Sequence, residues 1–135
     1  MKILLTILFL SLLSSPSWSV SYDDLVVRDG LYYKKFSEVP FSGKVTGLRN
    51  GSIKNGKAEG EWTHYYENGQ LFVKGNWKNG KTEGVFVTYW ENGQLMTKGN
   101  YKNGKKDGLW VYYFEAGGFN ASWSGTFKNG VKISD

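Results

Sequence analysis

The chain has 135 residues, of which 18 are glycine, 17% are aromatic and none is cysteine, and it carries a formal net charge of +5 at pH 7. That length suits one modest domain, and the lack of cysteine excludes disulfides, thiolate metal sites and lipid attachment through a thioether. Abundant glycine, with no 3.6-residue apolar period outside the first residues, excludes a long-helix architecture.

In chain order, Met1-Lys2, an apolar run from Ile3 to Leu13 and a small-residue stretch ending Ser17-Trp18-Ser19 have the layout of a secretory signal. The apolar run is shorter than the roughly 20 residues that cross a bilayer. The pattern predicts cleavage after Ser19, so residues 1–19 are read as a signal peptide and the mature protein as exported, periplasmic or secreted. Residues 20–40, including Leu31-Tyr32-Tyr33-Lys34-Lys35-Phe36, are expected to form N-terminal capping strands. Residues 41–135 are expected to form repeated hairpins.

The repeat is explicit in the centre, where Gly60–Glu83 and Gly84–Asp107 give a 24-residue period. The two copies share Glu-Asn-Gly-Gln-Leu, Lys-Gly-Asn and Lys-Asn-Gly-Lys, and self-similarity at such a period marks a repeat architecture. Weaker copies flank them, at Gly51–Glu59 upstream and at Gly108–Glu115 and Gly125–Gly130 downstream. Each unit holds two Asn-Gly pairs, Asn68-Gly69 and Asn79-Gly80 in the first, Asn92-Gly93 and Asn103-Gly104 in the second. Asn-Gly between alternating runs is a strong hairpin signal. The prediction is an all-β fold, an elongated antiparallel β-meander forming a single sheet.

Pairing about Asn68-Gly69 sets Tyr66 opposite Leu71, His64 opposite Val73 and Trp62 opposite Gly75. Period-two alternation then gathers Trp62, His64, Tyr66, Leu71, Val73 and Trp77 on one face, the expected core. Trp62 over Gly75 and Phe86 over Gly99 would fill the space left by each missing side chain. The other face mixes tyrosine, lysine and asparagine. On it, Tyr65, Phe72, Lys74, Tyr89, Met96, Lys98 and Tyr113 are the candidate partner-binding residues, because accessible aromatics and methionine suit a contact surface.

The order Tyr-Tyr-Glu-Asn-Gly-Gln-Leu, Lys-Gly-Asn-Trp-Lys-Asn-Gly-Lys, acid-Gly-x-Trp resembles the bacterial variant of the MORN repeat, found in YwqK-like proteins that are often labelled antitoxins. The resemblance covers about two thirds of the chain and implies hairpins in an elongated sheet and a role in protein or membrane-surface interaction without catalysis. For a chain with an export signal, an antitoxin or immunity-like role implies an exported effector as target.

Chemical motifs are sparse. Gly75–Thr82 spells a P-loop, but a strand pattern follows where a phosphate cradle needs a helix, and the sister copies lack the hydroxyl. His64 is the only histidine and has no second imidazole or thiolate to share a metal. Glu67, Glu91 and Glu115 recur at turns one repeat apart, unlike a glycosidase pair flanking one bond. The expectation is therefore no enzyme, no metal and no cofactor.

Charge is sorted by turn: Lys54, Lys57, Lys78, Lys81, Lys102, Lys105, Lys106, Lys128 and Lys132 at one margin, the three glutamates at the other. This fits turns kept wet, or peripheral contact with an anionic surface. Another protein or an envelope component is the expected partner, and no nucleic acid is expected. The alternative is a binder of carbohydrate, anionic envelope polymer or lipid headgroups, since the aromatic order is also similar to choline- and glucan-binding repeats.

Overall fold

A computed structural model describes residues 18–135, so most of the predicted signal, Met1–Ser17, lies outside the described residues. β1 (Val20–Ser21) leads through one 3-10 turn (Tyr22–Asp24) to β2 (Leu25–Arg28) and β3 (Leu31–Lys34). β4 (Gly43–Thr46) and β5 (Arg49–Lys54) open the meander. It continues through β6 (Lys57–Tyr65), β7 (Leu71–Lys78), β8 (Lys81–Thr82), β9 (Gly84–Tyr89), β10 (Leu95–Lys102), β11 (Lys105–Tyr112), β12 (Gly125–Lys128) and β13 (Val131–Ser134). Eleven strands form one open sheet in the order β1-β4-β5-β6-β7-β9-β10-β11-β12-β13, with β8 beside β7, while β2 and β3 pair as a separate ribbon. β1 joins β4 in parallel; the meander itself is antiparallel. The fold is the all-β, single-sheet meander of hairpins that the repeat predicts.

The two Asn-Gly pairs of a unit make different turns. In Lys-Asn-Gly-Lys both central residues have positive φ: 52° and 81° at Asn79-Gly80, 51° and 80° at Asn103-Gly104. These are two-residue turns of the mirror-image type that matches strand twist. At Asn68-Gly69 only the glycine is left-handed, with φ 85°. There Gly69 N–H donates to Tyr66 O at 3.0 Å, Tyr66 N–H donates to Gln70 O at 2.8 Å, and Asn68 Oδ1 accepts from Gln70 N–H at 2.9 Å. In the third unit Ala116 replaces the asparagine, and Gly117 N–H still donates to Phe114 O at 2.8 Å. The second turn type needs glycine, whereas asparagine serves it only through its side chain.

The longer turn changes the register near it. Trp62 faces Gly75 and His64 faces Val73 as expected, but Leu71 pairs with Tyr65 rather than Tyr66, and the shift leaves Phe72 as an extra residue in a β-bulge. The next hairpin repeats this, with Tyr89 opposite Leu95 and Met96 in the bulge. An extra residue re-aims the side chains around it. Leu71 and Leu95 therefore join the tyrosine face, a correction to the expected face assignment.

A second bulge recurs where each strand enters its unit. Gly60, Gly84 and Gly108 have φ of 76°, 80° and 79°. Asn50 pairs with Thr63 while Ser52 pairs with Glu59, so three residues from Gly60 to Trp62 stand against Gly51. The bulge lays each ring across the preceding hairpin. Trp62 covers Gly51, Phe86 covers Gly75 and Trp110 covers Gly99, leaving no room for a Cβ at any of the three. The two indoles also donate Nε1–H to Ser52 O at 3.1 Å and Asn100 O at 3.0 Å. The expected ring-on-glycine contact therefore exists, but it spans the lysine turn that joins neighbouring units rather than the Glu-Asn-Gly-Gln turn within a unit.

The closed core lies at the N-terminal end. Phe41, Val45 and Ile53 are buried, with Val20, Tyr22, Leu25, Tyr32 and Trp62 packed against them. Residues 20–40 do not simply extend the meander: β1 lies on the β4 edge, and the β2–β3 ribbon is tied to the first lysine turn by Tyr32 N–H to Gly56 O at 2.8 Å. Along the central units the aromatic face is half-buried, and its rings contact one another in sequence: Trp77 with Phe86, Phe86 with Tyr101, Tyr101 with Trp110 at 4.8 Å, and Trp110 with Tyr112. Among the described residues no helix is long and apolar enough to cross a membrane.

Candidate functional site

The face opposite the aromatic ladder is built by simple alternation. Tyr65, Tyr89 and Tyr113 occupy the same position of successive units, just before the acidic turn, and all three are half-buried. Leu71 and Leu95 lie in register with the first two, and Tyr113 bridges to Phe119 with ring centroids 5.9 Å apart. Lys74 and Lys98 are exposed two strands apart on this face. Lys74 Nζ lies 3.3 Å from Glu61, whereas the residue corresponding to Glu61 beside Lys98 is Val85. Of the seven candidate residues, the structure therefore brings together Tyr65, Lys74, Tyr89, Lys98 and Tyr113. Phe72 is corrected: its ring packs against His64 at 5.4 Å and Tyr66 at 4.7 Å, on the aromatic side, because of the bulge. Met96 sits at the equivalent bulge.

Two apolar members of the tyrosine face escaped the sequence reading. Val85 and Leu109 are 59% and 65% exposed, at the position that holds Glu61 in the first unit. The signal was available in the aligned copies, as a change from Glu to Val to Leu after the unit-opening glycine. A groove of about 360 Å³ runs beside Val85 and Val87, flanked by Glu61, Lys74 and Glu83.

The margins are ordered by hydrogen bonds between units. On the lysine side, Gly80 N–H donates to Ala58 O, Gly104 N–H to Thr82 O and Gly130 N–H to Lys106 O, each at 2.9 Å. Glu59 and Glu83, which interrupt the basic row in sequence, accept the backbone N–H of Asn79 at 2.8 Å and of Asn103 at 2.7 Å. Their carboxylates hold the next turn in place. Lys54, Lys57, Lys78, Lys81, Lys102, Lys105 and Lys128 are exposed, and none makes an ion pair among the described residues. Each unit advances the row by two strands, about 9.5 Å at ordinary strand spacing.

On the acidic side, Asn68 and Asn92 donate their side-chain N–H to Glu91 O at 3.2 Å and Glu115 O at 3.0 Å. Tyr66 Oη–H donates to Tyr89 O at 2.9 Å, and Trp90 Nε1–H to Tyr113 O at 3.1 Å. Partial burial, with the Glu91 and Glu115 charges next, raises the Tyr66 phenol above its ordinary pKa.

No bond-making machinery assembles from the remaining candidates. Gly75–Thr82 runs through β7, a tight turn and β8, so no helix end faces that loop. His64 lies against Phe72, and burial, with Arg49 second, lowers its imidazole pKa. Among the described residues no group of three or more histidines and carboxylates is placed to hold a metal.

Residues 58–79 and 82–103 each match the family model described as MORN repeat variant. MORN repeats are in general protein- or membrane-binding repeat modules. No curated protein matches the chain.

Proposed function

We propose that this repeat protein is an exported, non-enzymatic scaffold whose tyrosine face docks another protein at the cell envelope or outside the cell. The observation that carries the reading is the exposure of Val85 and Leu109 in line with Tyr89 and Tyr113 on a sheet face that no second layer covers among the described residues. Apolar and tyrosine side chains on a rigid surface with a lysine rim are the composition of a contact patch. The export half rests on the pattern of Met1–Ser19, and an immunity-like role toward an exported effector is the form an antitoxin function takes for such a chain.

The test is a Val85→Lys/Leu109→Lys double variant, compared with the parent for melting temperature and for recovery of a bound protein from native envelope and culture fractions. A folded variant that loses the partner supports the reading; equal recovery from both proteins sinks it. Sequencing of the mature N-terminus should begin at Val20, and a chain still starting at Met1 removes the export half.

The lysine margin favours a second reading, an anionic envelope polymer or headgroup surface held at the turns. Seven exposed lysines that make no ion pair among the described residues supply the attraction. Such binding should weaken steeply with added salt and fall in a Lys78→Gln/Lys81→Gln/Lys102→Gln variant. A salt-independent affinity points back to the tyrosine face.

A further inference from the structure

At the capped end the aromatic face is roofed. Tyr22, from the 3-10 turn, and Tyr32, from β3, stand over β6 and β7 and enclose about 320 Å³ with Trp62, Trp77 and Phe86 as walls. The volume is at the lower end of small-molecule sites, and mostly apolar walls with a few converging polar groups are their usual composition. One side is open to solvent.

The polar groups are few and distinct. Arg49, the register partner of His64, also lines the cavity. Its guanidinium carbon lies 4.0 Å from the centroid of the Tyr22 ring, and it makes no ion pair among the described residues. The roof tyrosines share a hydrogen bond, Oη to Oη at 3.2 Å. Burial first, then that bond, pushes the Tyr32 phenol up to about 12, so it stays neutral at ordinary pH. His64, with its pKa lowered by burial, is neutral as well. Arg49 is thus the one full charge lining the cavity, and no carboxylate among the described residues forms a salt bridge with it.

We infer that this cleft binds a small carboxylate carrying a flat ring, the anion on the free fork of Arg49 and the ring among Trp62, Trp77 and Phe86. A planar guanidinium matches a carboxylate through two parallel hydrogen bonds. One cation balances one negative charge, so a monoanion fits better than a dianionic phosphate. Ring walls at edge-on angles, such as Trp77 against Phe86 at 65°, leave a slot that a flat ring fills by stacking on one wall and meeting the other edge-on. This site is independent of the tyrosine face, which lies on the opposite side of the sheet.

The probe is 2-naphthoate, titrated while the indole N–H resonances are followed, with 2-naphthamide and octanoate as comparisons. The expected result is a saturable shift of Trp62 and Trp77 with Trp110 and Trp123 unmoved, and affinity for the acid at least about tenfold above that for the isosteric amide. Arg49→Gln, used only if its indole spectrum in the absence of ligand matches the parent, should erase the preference for acid over amide. Lys44→Gln, at an exposed lysine outside the cleft, should change nothing. Equal binding of acid and amide in the parent overturns the assignment without any variant, as does a uniform shift of every indole. Octanoate binding as tightly as naphthoate overturns the flat-ring half of the assignment.

Discussion

The capped end and the central units are written in one strand pattern, yet they hold their large side chains in different ways. At the capped end Phe41, Val45 and Ile53 are 7%, 1% and 3% exposed beneath a roof supplied by residues 20–40. In the central units Trp77 and Phe86 only border that roof and Tyr101 lies outside the cleft beneath it, and all three remain half-exposed among the described residues. There each ring is gripped from the side, by the glycine of the preceding hairpin and by the next ring along. Burial from above removes more apolar surface from water per residue, while lateral gripping allows the same unit to be repeated. A repeat array is stabilised through nearest-neighbour interfaces. Trp110 joins the two modes: it is 1% exposed although it belongs to the repeats, because Phe86, Tyr101, Tyr112 and Lys106 surround it.

This contrast can be broken most strongly at that tryptophan. Trp110→Ala should cost about 3–5 kcal/mol in urea unfolding, well above the loss from Phe86→Ala at the equivalent, half-exposed position. Similar losses at the two sites would mean that lateral gripping contributes as much as enclosure. Ile53→Ala comes next, at about 2–4 kcal/mol, and it should speed amide exchange in β2, β3 and β5 before exchange in β10. Exchange rising evenly along the sheet would show that the cap is no separate source of stability. Gly99→Ala places a methyl group against the Trp110 ring and should cost about 1–3 kcal/mol by overpacking. The smallest effect separates the two turn types. Asn79→Ala must hold alanine at a φ of 52° and should cost about 1 kcal/mol, whereas Asn68→Ala should cost less, as the natural Ala116 at the third such turn indicates. Equal midpoint shifts for the two variants would contradict the assignment of different turns.

Much of the meander could be read before any coordinate was known. Hairpin positions, the all-β fold, the facing of His64 with Val73 and the sorting of lysine and glutamate to opposite margins all follow from alternation and turn chemistry. The candidate face was legible in part. Its three tyrosines and two lysines lie where alternation places them. Phe72 does not, because the bulge after the longer turn sends it to the aromatic side. Val85 and Leu109 are not legible from what the copies share, because their position varies from Glu61 to Val85 to Leu109 and matters through that difference.

The sequence by itself determined that two turns per unit would fold a 24-residue repeat into one twisted sheet with unlike faces and oppositely charged edges, since those properties depend on neighbours a few residues apart. Only the tertiary structure decided which glycine each ring would cover. A strand in a sheet has two neighbours, and the positive-φ glycine at each unit entry tips the ring toward the earlier one. Tertiary structure also decided that Tyr22, Tyr32 and Arg49 would meet Trp62 and Phe86 around a cleft, because the return of residues 20–40 over the sheet is fixed by burial of Phe41, Val45 and Ile53 rather than by any local pattern.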